Sequence, residues 1–293
     1  MSVLASMETK RSVAEGGCVT VGLNVSFFGV RGSTPCSSPD LHRIGGNTSC
    51  VVLQRDGEDP IVCDLGTGLR FYGVGINAFS GTLLVSHLHW DHIQGLPFFP
   101  PLLNPDSKID ILGPPQGDVS FGEAFNECIR PPYFPIELAE LAHHANFIDF
   151  DNAIRTVGSA TITARPVPHN GLTNGYRISW DDFTVAYVPD HQQPIHDHDH
   201  VADSVLELAR DADLLIHDAQ FTPELLTVRP NWGHCTPGYA STVARQAGAK
   251  RLALFHHDPL HGDDTVESLA READAAAEDV EVFAASENQP LRY

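Results

Sequence analysis

Short apolar runs, broken by Gly, Pro, Asn and Asp, recur along this chain in two successive series. In the first, β-branched and aromatic residues over 19–30, 50–55, 61–65, 82–86 and 109–112 predict strands, with turns at Gly45-Gly46-Asn47 and Asp56-Gly57. Stretches 121–129 and 136–143 predict short helices bounded by prolines. The second series predicts strands over 161–167, 176–180, 183–188, 214–217 and 251–256, with helices over 201–209, 238–247 and 265–277. Thr236, Pro237 and Gly248 punctuate the helix at 238 as its cap, first-turn proline and end, and Asp263 or Asp264 suits the start of the last helix. The architecture this predicts is an α/β four-layer αββα sandwich, two mixed β-sheets with helices on the outer faces. No linker composition interrupts 19–293, which reads as a single domain after a short disordered lead over 1–18.

The strand predicted over 82–86 runs directly into His87-Leu88-His89-Trp90-Asp91-His92. Side chains at i and i+2 of an ending strand point the same way, so His87 and His89 can grip one cation together. Asp91 and His92, on the turn beyond, can reach a second cation. Imidazole and carboxylate without thiolate suit zinc, manganese or iron rather than a Cys-type structural zinc site. The plain alternative is a solvated His-rich loop.

Composition narrows the field. Among 293 residues, 18 are basic and 38 acidic, a formal charge of −20 that argues against a protein gripping a long phosphate backbone. A small anionic substrate stays open, because divalent metals would set the local potential at a site. The six cysteines show no CxxC pairing and read as reduced thiols. No secretory leader appears over 1–17, and no apolar stretch approaches the ~20 residues that span a membrane. A cytoplasmic location and no membrane partner are expected.

Four predicted second-half strands end in further candidate ligands: His169 after Pro168, Asp190 and His191 after Pro189, His217-Asp218, and His256-His257-Asp258. Singly, each is more often a hydrogen-bonded loop residue. Four in succession, following the cluster at 87–92, point to a site where the strand ends converge.

The pattern His87-x-His89-x-Asp91-His92, with His169, Asp190 and His256, resembles the metallo-β-lactamase superfamily of binuclear metallohydrolases over residues 25–262. Gly29-Val30-Arg31-Gly32-Ser33, Gly45-Gly46-Asn47-Thr48-Ser49 and Asp64-Leu65-Gly66-Thr67-Gly68 are similar to its phosphodiesterase branch. That branch includes tRNA 3′-processing endonucleases and cyclic phosphodiesterases. The resemblance implies two divalent metals, zinc before manganese or iron. His87, His89 and His169 would hold the first, and Asp91, His92 and His256 the second, with Asp190 bridging. His257 competes with His256 for the last place. Leu215-Ile216-His217-Asp218-Ala219 and Gly233-His234-Cys235-Thr236 match two more motifs of the branch, the second with Cys in place of Ser. They imply that His234, oriented by Asp218, protonates a leaving alkoxide, with Asp91 among the catalytic groups. Independently of the family, His234 precedes a predicted helix N-terminus, which favours anions. Asp64 is expected to orient a ligand histidine rather than ligate.

Only 21 positions separate His169 from Asp190, with no Lys/Arg cluster nearby, where the similar tRNA-processing enzymes carry a long arm. With the acidic charge, this leads to an expectation of a small cyclic phosphodiester as substrate and no nucleic-acid polymer as partner. Arg31, Asn47 and Phe98 are candidates to border the pocket. A thioester, lactone or β-lactam hydrolase of the same fold, and a metal-binding interaction protein without catalysis, remain rival readings. A homodimer is a possible assembly. The tract 195–200, alternating His and Asp after Ile195, reads as a solvated loop and helix cap rather than a third metal site.

Overall fold

The computed structural model describes residues 22–293 except residue 198. The expected lead over 1–18 lies outside the described residues. The first sheet takes β1 (Leu23–Gly29), β2 (Cys50–Arg55), β3 (Ile61–Cys63), β4 (Ser80–Leu84), β5 (Lys108–Gly113) and β6 (Ala145–Asp149) in chain order. The second takes β7 (Ile154–Val157), β8 (Ala160–Pro166), β9 (Asn174–Ser179), β10 (Thr184–Val188), β11 (Leu214–Asp218), β12 (Arg251–Phe255) and β13 (Glu281–Ala284). The final strand, β14 (Leu291–Arg292), returns antiparallel to β1 and closes the first sheet with seven strands, matching the seven of the second.

Each sheet is mixed. β1 to β3 are antiparallel and β3 to β6 parallel. In the second sheet β7 to β10 are antiparallel and β10 to β13 parallel. Apolar residues facing inward from both sheets form one core, including Val25, Phe27, Leu53, Ile162, Tyr176, Tyr187, Ile216 and Phe255. The opposite faces carry the helices. Against the first sheet lie α1 (Gly68–Tyr72), α2 (Trp90–Ile93), α3 (Phe121–Cys128) and α4 (Leu138–Leu141), which contribute Leu69, Ile93, Phe121, Phe125 and Leu138. The second sheet is covered by α5 (Asp203–Ala209), α7 (Pro237–Ala247) and α8 (Asp263–Ala276), with the short α6 (Pro223–Val228) before α7. Four layers result, as the apolar pattern predicts.

Several local expectations shift. The helix expected over 136–143 is a single turn, α4, closed by reciprocal contacts between Glu137 and Glu140. Thr236 caps α7 by accepting from the Tyr239 amide, and Gly248 ends it in the left-handed region at φ 72°. Neither Asp263 nor Asp264 caps α8, whose cap residue is Gly262. Asp263 is turned instead to the amides of Arg43 and Ile44, at 2.8 and 3.1 Å. The tract around 195–200 is an exposed loop in its described residues, but the cap position of α5 belongs to Ala202. His198 lies outside the described residues. No helix among the described residues is long and apolar enough to cross a membrane.

Candidate metal centre

Strand direction gathers the candidate ligands. β8, β10, β11 and β12 run the same way, so their C-terminal ends share one edge of the second sheet. Val188 pairs with His217 and Asp218 with Phe255, and so Asp190, Asp218 and His256 emerge side by side. Across the core, β4 ends at Leu84 and its continuation delivers His87 and His89. The turn after it winds into α2, with His89 in the cap position and Asp91 and His92 inside.

Asp190 sits at the middle, almost fully buried. Its Oδ1 lies 3.6 Å from His169 Nε2 and 4.0 Å from His87 Nε2, while Oδ2 lies 3.1 Å from His92 Nε2 and 3.5 Å from His256 Nε2. One oxygen thus faces each set. His87, His89 and His169 bring their ligand atoms together toward the solvent side, where His89 is exposed. Asp91, His92 and His256 form a second, fully buried group, with Asp91 Oδ2 3.0 Å from His256 Nε2. His256 therefore joins the cluster. His257 does not: its Nε2 turns away to the carbonyl of Ala285 at 3.0 Å.

The rings are oriented from behind. His87 Nδ1 meets Ser86 Oγ at 3.0 Å, His92 Nδ1 meets Asp64 Oδ2 at 2.7 Å, and His169 Nδ1 meets the Gly233 carbonyl at 2.7 Å. His256 Nδ1 faces Gln220 Oε1 at 3.1 Å. With Nδ1–H donated to these acceptors, each Nε2 carries a lone pair toward the centre. Asp64 behaves as its sequence context suggests. It adopts φ 60° and accepts also from the Ser86 amide at 2.7 Å, the Ser86 hydroxyl at 2.9 Å and the Tyr187 hydroxyl at 2.7 Å. Two glycines allow the close approach. A Cβ on Gly32 would sit 2.3 Å from His256 Nδ1, and one on Gly233 (φ 94°) 2.4 Å from the His169 ring.

These residues fit divalent metals. Buried His87 Nε2 and Asp190 Oδ2 lack any hydrogen-bond partner, an arrangement that is costly unless something else satisfies them. Burial and neighbouring His92 push His87 well below the ordinary histidine pKa, which keeps its lone pair free. Burial opposes the charge on Asp190, but the neighbouring histidines, His256 and His92 foremost, hold the carboxyl well below the usual range.

His234 stands beside this ring. Its Nδ1 donates to Asp218 Oδ2 at 3.0 Å and lies 3.7 Å from Asp190 Oδ1. Asp218 is itself fixed by the amides of His191 at 3.0 Å and Gln220 at 2.9 Å. Burial works against the imidazolium, yet Asp218, then Asp190 and Asp91, raise the His234 pKa above its ordinary value.

Arg31 departs from its expected place. Fully buried, it donates Nε to the Gly45 carbonyl at 2.8 Å and Nη1 to the carbonyls of Asp258 and His261 at 3.1 and 2.7 Å. It ties three loops together behind the centre. Asn47 and Phe98 line a cleft of about 790 Å³ with Thr67, Arg70 and Gln94, but none of the candidate ligands lines it. Sequence reasoning misses Ser86, Gln192 and Gln220. Ser86 is flagged only by preceding His87, and Gln192, which accepts from the Gly233 amide at 2.8 Å, carries no signal in the chain.

Residues 81–257 match the family described as Beta-lactamase superfamily domain, and the chain belongs to that family. Proteins named Ribonuclease Z are similar along most of their length. The one from Natronomonas pharaonis is 25% identical over 298 residues, covering 87% of this chain and 93% of its own. That of Myxococcus xanthus is 25% identical over 301 residues, covering 89% and 95%. Among solved structures, the metallo-beta-lactamase fold protein YhfI from Bacillus subtilis superposes with a TM-score of 0.70 at 23% identity, over 94% of this chain and all of its own. A diphosphatase of the PhnP family does so at 0.68 and 17%, over 93% and 97%. The metallo-β-lactamase fold is thereby established, and the family implies divalent metals at such a centre.

The comparisons correct one expectation. The reading that no nucleic-acid polymer is a partner is overturned by relatives named Ribonuclease Z that match nearly end to end. Its physical weakness is that net charge belongs to the whole chain, whereas a substrate meets the local field of the site.

Proposed function

We propose that this chain is a metal-dependent phosphodiesterase. The observation that carries the reading is the ring of four histidines with Nδ1 tied from behind around Asp190, with the His234–Asp218 pair at its side. His87, His89 and His169 would hold one cation and Asp91, His92 and His256 another, with Asp190 between them; zinc is the metal we favour. Divalent ions held there supply Lewis acidity toward phosphoryl oxygens and lower the pKa of water.

The chain's own groups do the rest. Asp190 and Asp91 place negative charge where cations are held. Asp218, by holding Nδ1–H of His234, leaves Nε2 as the atom that carries a transferable proton. That proton goes to the oxygen of the departing alcohol, which a poor alkoxide leaving group requires.

For the substrate we favour a small cyclic phosphodiester, such as a cyclic nucleotide or a phosphoribosyl cyclic phosphate. Between His169 and Asp190 the chain forms only the hairpin of β9 and β10, so no arm extends from that rim. The relatives' name, Ribonuclease Z, supports a second reading, an RNA. A panel of 2′,3′- and 3′,5′-cyclic nucleotides, a ribose 1,2-cyclic phosphate and a precursor RNA on metal-loaded protein separates them. Cleavage of a cyclic diester, lost in His234→Ala, supports the first; cleavage of the RNA alone supports the second. Turnover of ester or lactam substrates only would remove both.

A further inference from the structure

We infer that Gln220 is the positioning residue for His256, and that the turn 218–220 aligns His256 and His234 together. The inference rests on the metal-centre reading above but not on any substrate. His256 leaves β12 in the left-handed region, at φ 57°, and its ring is pressed against Gly32. Backbone geometry alone therefore does not decide which ring nitrogen carries the proton. Gln220 decides it. Its amide is buried, with Oε1 3.1 Å from His256 Nδ1 and Nε2 donating to Ser33 Oγ at 3.0 Å.

A carbonyl oxygen facing Nδ1 fixes the proton there and leaves Nε2 as the ligating atom. Ser33 completes the frame, since its own amide donates to Asp91 Oδ2 at 2.7 Å. Gln220 is thus linked to both of the ligands, Asp91 and His256, that meet at 3.0 Å in the buried group. Through its backbone amide it also holds Asp218 Oδ1, while Asp218 Oδ2 holds His234. Ser33 and Gln220 are 187 residues apart, and only the fold brings them together.

The test compares zinc binding by wild type, Gln220→Met and Gln220→Glu, using competition against a chromophoric chelator and metal content after dialysis. Wild-type binding is measured first. If wild type takes up no zinc, the metal-centre reading fails. If it does, the variants test Gln220 alone. Gln220→Met has similar volume and no acceptor, and is expected to weaken one of the sites by about 10- to 100-fold while sparing the other. Gln220→Glu keeps an acceptor at Oε1 and is expected to stay within about threefold of wild type.

Equal affinity in Gln220→Met and wild type would overturn the inference. So would equal losses in both variants, because the opposite amide orientation would then be the true one. Should Gln220→Met not fold, Ser33→Ala takes its place by removing the acceptor that anchors the amide. Weakened binding at one site supports the inference, and unchanged binding contradicts it.

Discussion

Asp218 Oδ2 accepts from His234 Nδ1 at 3.0 Å, while Asp218 Oδ1 is held by the Gln220 amide at 2.9 Å. A carboxylate fixed at both oxygens can orient an imidazole and favour its protonated form without moving. His234 is so placed at the C-terminal edge of β11 beside Asp190.

On the proposed role, His234→Ala lowers kcat for a diester with an alkoxide leaving group by about 10²–10⁴-fold. The loss shrinks for a p-nitrophenolate leaving group, which departs without a proton. Metal content is unchanged. A loss independent of the leaving group would rule out proton donation by His234.

The same pair predicts a pH effect. The acid form of His234 is lost as pH rises through its folded pKa, which Asp218 raises. In Asp218→Asn the alkaline limb of kcat/KM moves to lower pH. A limb that stays in place would assign it to another group.

Asp64 bears on metal affinity from behind the ligands. Asp64→Asn tolerates φ 60°, as Asp does, but it replaces one acceptor oxygen with an NH2 donor, so the His92 ring and the Ser86 amide cannot both keep their acceptor. Metal affinity should fall about 10- to 100-fold, measured by chelator competition. Unaltered affinity would show that His92 is held by packing alone.

Arg31 predicts stability rather than catalysis. Arg31→Met leaves the carbonyls of Gly45, Asp258 and His261 without their donor and Asp263, 3.8 Å away, without its cation. The expected loss is about 3 kcal/mol or more in a denaturant titration. A loss below about 1 kcal/mol would return Arg31 to the candidate pocket residues.

His257 predicts acid sensitivity. Burial, then the charge of Arg31, lowers its pKa to about 3. An unfolded chain takes up this proton near pH 6.5, the ordinary value, so between about 6.5 and 3 the unfolded state binds more protons. The stabilisation is full above about pH 6.5 and is lost as pH falls toward 3, by roughly 1.4 kcal/mol per unit. His257→Gln, which keeps a donor for the Ala285 carbonyl, should flatten this slope. Identical slopes would show that other groups set it.

The centre was legible because a candidate ligand follows closely on the end of each of β4, β8, β10 and β12 (His87, His169, Asp190 and His256), and a strand's end is visible in the chain. What sequence misses is at the edges or comes from topology. β6 and β7 are edge strands of only moderate burial, without the strong apolar alternation of the inner strands, and β14 has only two residues. The strand read over 82–86 ends at Leu84, and the turn expected for Asp91 and His92 is the single-turn helix α2. Arg31, set in a glycine-rich motif, looks like a pocket residue until its three carbonyl acceptors are seen to come from distant loops. Gln220 meets Ser33 and His256 only through the fold, and no local spacing announces it.

A centre built around Asp190 for two cations should show itself in metal content after zinc loading and dialysis of wild type and Asp190→Ala. Wild type should retain about two equivalents, and Asp190→Ala about one or fewer once the carboxylate between the sites is gone. Wild type with less than about one equivalent, or two equivalents retained in Asp190→Ala, would contradict such a centre.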